Sequence, residues 1–324
     1  MTVFIVVLNV VIHLAVPALF VYLVAVPAVG DRLRWLGSLV VLVSFLALLQ
    51  LAGGGWHWVG WWWPYLFWIA AAGAGFWFVL HYWTRLPWLP PRTFKPWVSV
   101  VISAVLTVFF ALGVIGALEG QTPSEAPVEL EFPLVDGLFY VGHGGSTDVV
   151  NHHVPVSAQW YAVDIVQLNR FGERARGLWP RRLDAYEIWG TEVVAPCDGE
   201  VVSLESTLDD LPVPETDEAN PLGNHVAVYC DDIDVTVVLA HLQQGLASQP
   251  DNLGGIELAQ QDRIKAGEPV GRVGNSGNTT EPHLHIHAVE GRVDQRRELI
   301  SEGSGVPMEF DGRFLTRTDR IDRR

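Results

Sequence analysis

Three histidines on alternate residues, His283, His285 and His287, follow a glycine-bearing turn, Gly274-Asn275-Ser276-Gly277-Asn278-Thr279-Thr280-Glu281-Pro282. In an extended strand side chains two apart face the same way, so these imidazoles share one side. Neutral imidazole is the commonest metal ligand and also titrates nearest neutral pH. The row therefore suits metal ligation or proton transfer. Other donors stand upstream: Asn151-His152-His153, then Asp164 in Trp160-Tyr161-Ala162-Val163-Asp164-Ile165, then Ala240-His241-Leu242. Asp164 follows an apolar run, and a buried carboxylate needs a partner. A catalytic zinc takes three such protein ligands and keeps an open position.

The elements that must hold these residues read as short β-like runs separated by turns, over 160–167, 191–195, 200–204, 224–230, 235–239, 269–273 and 283–289. Asp198-Gly199 between two runs signals a hairpin. The acidic stretch 209–220 carries prolines and reads as a solvated insertion. Residues 119–131 are polar, acidic and proline-bearing, which predicts a linker over 119–135 leading to a compact, mostly antiparallel β domain over 136–324. Cys197 and Cys230 each sit in an apolar strand-like run. They are read either as a disulfide or as two separate buried thiols, since only the Cα spacing decides.

The first part of the chain is of another kind. Residues 1–118 hold Asp31, Arg32, Arg34, Arg85, Arg92 and Lys95 as their only charged groups, a formal net of +4, so against −15 for the whole chain the remainder carries −19. Four apolar stretches, 3–29, 35–52, 56–83 and 98–118, have about the 20 residues that span a bilayer. They predict an all-α transmembrane region of four helices, with Pro17 and Pro64 kinking theirs. The tryptophan-rich run from Trp56 to Trp63 reads as an interfacial aromatic belt. Arg32 and Arg34 lie in one loop, and Arg85, Arg92 and Lys95 in another on the same side. The excess of basic residues in cytoplasmic loops then puts both chain ends and the β domain outside a plasma membrane. The spans lack internal Asp, Glu, Lys or Arg, so an anchor is expected rather than a transporter. The acidic surface argues against nucleic acid as partner.

Taken in order, the blocks resemble the LytM or lysostaphin-type zinc metallopeptidases, family M23, over about residues 136–310. In that family a Gly-x-Ser-Gly turn precedes a His-x-His strand, as in 274–285 here. An upstream Ala-His-Leu is matched by Ala240-His241-Leu242. Ala195-Pro196-Cys197-Asp198-Gly199-Glu200-Val201 and Gly267-Glu268-Pro269-Val270-Gly271 match two further strands. The resemblance implies a membrane-anchored zinc endopeptidase that hydrolyses peptide bonds of peptidoglycan through a zinc-activated water. It implies His285 and Asp164 as Zn2+ ligands and His241 and His283 as catalytic histidines that do not ligate.

The family's first ligand stands four residues before the aspartate, and that position is Trp160 here. His152 and His153 are the nearby candidates, read as the end of a neighbouring strand reaching across a hairpin. His153 is the expected ligand, because an Asn-x-His arrangement is closer to a variant branch of the family. His287 stands where the family more often has glutamate and is expected as a neighbour, not a ligand. His143 and His225 are expected as loop or surface residues. The alternative reading is an inert scaffold or regulator of another wall enzyme, motivated by Trp160. Wall peptides, the lipid bilayer and a protein partner met through the membrane region are the expected partners.

Overall fold

The computed structural model describes residues 2–26, 28–245 and 258–324, and the chain divides into two compact units, Met1–Leu118 and Glu119–Arg324. In the first, four described helices are long and apolar enough to cross a membrane: Phe4–Ala25, Arg32–Ala52, Trp63–His81 and Phe94–Glu119. The third is shorter than the expected 56–83. Trp56–Val59 forms its own turn of helix, which stops at Gly60, where φ is +117°. Such a φ is open to glycine and strained for other residues. Pro64 consequently falls in the first turn of the third helix, where a missing N–H costs nothing, and does not kink it. Pro17 follows a π-helical turn, Val11–Ala15, and stands in the first turn of the helix Val16–Ala25. Within this unit the Trp35 ring stacks on Phe78 at 4.5 Å while its indole N–H donates to the Val24 carbonyl.

The second unit is built on a nine-stranded sheet. Its strands run in the order Arg320–Asp322, Leu138–His143, Val163–Gln167, Leu284–Glu290, Val235–Leu242, Asn224–Cys230, Gly199–Glu205 and Arg263–Ile264, with Gly305–Val306 added beside Leu284–Glu290. Every pairing in it is antiparallel. Alternation separates two cores. Val163, Ile165, Val237, Leu239, Leu284 and Ile286 point into the larger, while Ala227, Val238, Ala240 and Val289 point to the other face. Cys197 and Cys230 form a disulfide with a Cα–Cα distance of 5.8 Å.

Three local expectations change. The segment 119–135 is not wholly a linker: Val128–Leu130 pairs in parallel with Met308–Phe310, and Leu130, Phe132 and Leu134 are core residues. Alternate apolar residues among the acidic ones bury themselves there. Asp198-Gly199 is not a hairpin, because Glu192–Val194 pairs with Pro269–Arg272 while Gly199–Glu205 pairs with Asn224–Cys230. Gly199 serves close approach instead, since a Cβ on it would stand 2.2 Å from the Tyr229 carbonyl oxygen. The run 160–167 is a strand only over Val163–Gln167, with Trp160 and Tyr161 in the preceding turn.

Candidate metal centre

Strand register places the first two donors. His285 stands opposite Asp164 on one side and Ala240 on the other. Directly opposed residues share a face, so His285 and Asp164 project together on the side away from the larger core. Asp164 Oδ1 lies 2.9 Å from His285 Nδ1 and 3.5 Å from His283 Nε2.

His153 reaches the same carboxylate from a turn, not from the end of a strand as expected. Its Nε2 lies 3.0 Å from Asp164 Oδ2. Asn151 explains how. It is fully buried, its Oδ1 accepts the His153 backbone N–H at 3.1 Å, and its amide nitrogen donates to the Gly145, Trp160 and Ala162 carbonyls. An asparagine bonding the backbone two residues on forms a turn of its own, so the Asn-x-His spacing is a device that aims His153. His152 is the more exposed of the two, and its ring packs against those of His143 and His153, each at 3.9 Å.

His241 arrives by a break in alternation. Val237 and Leu239 point into the larger core, and so does Leu242, where strict alternation would send His241. His241 has φ +64°, in the left-handed region, and this reverses the order so that its ring comes 4.8 Å from that of His283. The glycine-bearing turn receives it: His241 Nδ1 donates to the Ser276 carbonyl at 2.9 Å, and Ser276 Oγ donates to the Leu242 carbonyl. The turn packs so closely that a Cβ on Gly223 would stand 2.2 Å from the Ser276 oxygen.

Electrostatics follow from burial around one carboxylate. Burial alone would raise the Asp164 pKa, but the His153 and His283 imidazoles hold it well below the usual range. Burial lowers the His283 pKa, yet the Asp164 charge and hydrogen bond outweigh it, and the net shift is upward. Burial takes His285 down to about 3 and drives His241 well below its ordinary value. Asp164 thus meets three imidazoles, at His153, His283 and His285, and its ion-pair partners include no Lys or Arg among the described residues.

Three trios among the described residues bring donor atoms within 4.8 Å of one another: His153, Asp164 and His285; His241, His283 and His285; and His143, His152 and Asp164. The first has the two nitrogens and one carboxylate that suit zinc. In the second, His241 and His283 both spend Nδ1 on backbone carbonyls, Ser276 and Glu281. In the third, the Arg317 guanidinium hydrogen-bonds His143 and already supplies positive charge. The residues fit one zinc best at His153, Asp164 and His285.

His143 and His225 are not the surface histidines expected. His143 ends a strand, paired to Asp164, and burial with Arg317 lowers its pKa to about 2. His225 is buried with Nδ1 donating to the Gly223 carbonyl. Sequence reasoning also missed Arg174 and Glu281. Arg174, 1% exposed, grips both Glu281 oxygens at 2.6–2.9 Å, two residues before His283. Only the position of Glu281 beside Pro282 and His283 hinted at this. The donors open onto a cleft of about 340 Å3, floored by His153, His241 and His285 and walled by Val156, Leu222 and Ile300.

Residues 183–296 match the family model described as peptidase family M23, a span that includes His241, His283 and His285 and begins after His153 and Asp164. No curated protein matches the chain. Similar solved structures include a zinc-containing peptidase from Vibrio cholerae, at 19% identity over 32% of this chain and 24% of that one, TM-score 0.23. Lysostaphin in solution is 18% identical over 45% and 40%, TM-score 0.26. A putative peptidase M23 from Pseudomonas aeruginosa is 18% identical over 59% and 60%, TM-score 0.28. The chain thus spans less than two thirds of the length of each. Residues 183–296 of the second unit, within an antiparallel β domain, are thus similar to peptidase family M23.

Proposed function

We propose that this chain is a membrane-anchored zinc metalloendopeptidase that hydrolyses peptide bonds of peptidoglycan. The observation that carries the reading is the convergence of His153 Nε2 and His285 Nδ1 on the two oxygens of buried Asp164 at the floor of a cleft. Zinc held there supplies Lewis acidity, which acidifies water and polarises a carbonyl.

The remaining steps belong to side chains. His241 and His283 each donate Nδ1–H to a backbone carbonyl, which turns Nε2 of each to the site, that of His283 3.5 Å from Asp164 Oδ1. His241, with its pKa driven down by burial, is unprotonated and accepts a proton. His283, on the other side of the site, donates a proton to the developing oxyanion or the leaving amine. The apolar walls at Val156, Leu222 and Ile300 exclude water from the bound peptide. Four apolar helices anchor the enzyme, with the loops bearing Arg32, Arg34, Arg85, Arg92 and Lys95 in the cytoplasm and both ends outside.

The test uses the full chain purified in detergent. It should hold about one zinc per chain and cleave wall peptides, with both lost on chelation. A chain that stays metal-free and inactive in excess zinc overturns the reading. One observation favours a second reading, an inert scaffold: the family match begins downstream of Asp164, and Trp160 stands at the usual ligand position, its indole donating to the Ser146 carbonyl. A His285→Ala chain that retains full function in cells would favour it.

A further inference from the structure

The third histidine of the row has a defined part. His287 is fully buried, with Nδ1 2.9 Å from His285 Nε2 and Nε2 2.8 Å from the Leu299 carbonyl oxygen. A carbonyl oxygen only accepts, so His287 carries its hydrogen on Nε2. A second hydrogen on Nδ1 would create a buried imidazolium facing a carbonyl and another imidazole, a desolvation cost that the neutral ring avoids. His287 Nδ1 is then an acceptor, and the hydrogen between the two rings sits on His285 Nε2. His285 Nδ1 is left with its lone pair 2.9 Å from Asp164 Oδ1. Two acceptors facing each other at that distance call for a cation.

We propose that His287 is a positioning residue: through the relay from the Leu299 carbonyl to His287 to His285, it sets the His285 tautomer and ring angle so that Nδ1 is presented to the metal. This rests on the zinc reading above. The relay also ties the donor set to the cleft wall. Leu299 lies in the Glu298–Glu302 turn, whose Ile300 lines the cleft and accepts from Gln159 Nε2 through its carbonyl at 2.7 Å. Ligand and wall are therefore held by one set of hydrogen bonds.

The experiment measures zinc affinity of the full chain in detergent by competition with a chromophoric chelator, beside thermal unfolding of the metal-free protein. His287→Phe keeps a ring without nitrogen and should weaken zinc binding about 10- to 100-fold, the usual effect of losing a partner that orients a ligand. His287→Gln keeps an acceptor and an N–H donor and should recover most of that loss. Metal-free unfolding should be alike in the two variants. The inference is overturned if both variants bind zinc as the unaltered chain does, or if His287→Gln loses as much as His287→Phe. An unaltered chain that binds no zinc overturns the proposed function as well, and that arm is read separately.

Discussion

His153 Nε2 lies 3.0 Å from Asp164 Oδ2, and the turn that brings them together is organised by the buried amide of Asn151. His152, its neighbour in sequence, packs on His143 instead. His153→Ala should therefore abolish stoichiometric zinc, while His152→Ala should retain it. Metal content after gel filtration, measured by atomic absorption, checks this; equal loss in both variants would contradict the assignment.

His241 and His283 touch the site without completing the zinc-type donor set. Their alanine variants should hold zinc normally and lose about 10²- to 10⁴-fold in peptide hydrolysis, the usual range for a general acid or base. Metal content and turnover on a defined wall peptide, measured on the same preparation, separate the two effects. Zinc lost in parallel with activity would make them ligands.

Acid should destabilise the metal-free protein. Burial takes His285 to about 3 and His287 to about 4. Unfolded imidazoles bind protons below about 6.5, so between these values the unfolded chain holds more protons and stability falls as pH falls. Asp164 acts in the same sense lower down: its contribution is present above its ordinary value of 3.8 and is lost as pH drops through its depressed folded value. His283 opposes them, since a raised pKa stabilises fully below 6.5 and loses its effect as pH rises through the folded value. His143, His152, His225 and His241 are lowered by burial too, so with His283 alone opposing them the unfolding midpoint should drop steadily from pH 6.5 toward pH 4. Calorimetry that shows the midpoint rising on acidification would sink this.

Glu281→Ala removes the carboxylate that grips Arg174, a side chain only 1% exposed. Breaking one half of a buried ion pair costs about 3–5 kcal/mol. Chemical denaturation should report a loss of that order, with Glu281→Gln milder because its amide oxygen still accepts. The Glu281 backbone oxygen also accepts from His283 Nδ1; alanine keeps that carbonyl but loses the ion pair that fixes it, so hydrolysis should fall in Glu281→Ala even below the unfolding temperature.

Reduction of the Cys197–Cys230 disulfide, which joins residues 33 apart, should cost about 3–4 kcal/mol in the chain-entropy account. Denaturation curves with and without reductant measure it directly, and coincident curves would refute it.

Much of this was legible in the residue string. Charge and apolar run length separated two unlike units near residue 118, and both depend only on local composition. Strand periodicity put His283, His285 and His287 on one face, and the structure keeps them together, because alternation is a property of the extended backbone itself. The pairing of His285 with Asp164 needed more, since register across 121 residues is set by which apolar faces close on each other. The linker reading failed at Val128–Leu130 for the same reason: a distant strand, Met308–Phe310, recruits it.

The amino-acid sequence by itself determined which donors exist, their order and the faces they share along a strand. Only the tertiary structure decided which atoms meet. His241 enters the site because its φ of +64° breaks the alternation, His153 because Asn151 binds four backbone groups, and His287 because Leu299 offers it a carbonyl. A residue type specifies a donor, but the direction of its lone pair depends on turns and on partners brought from far along the chain.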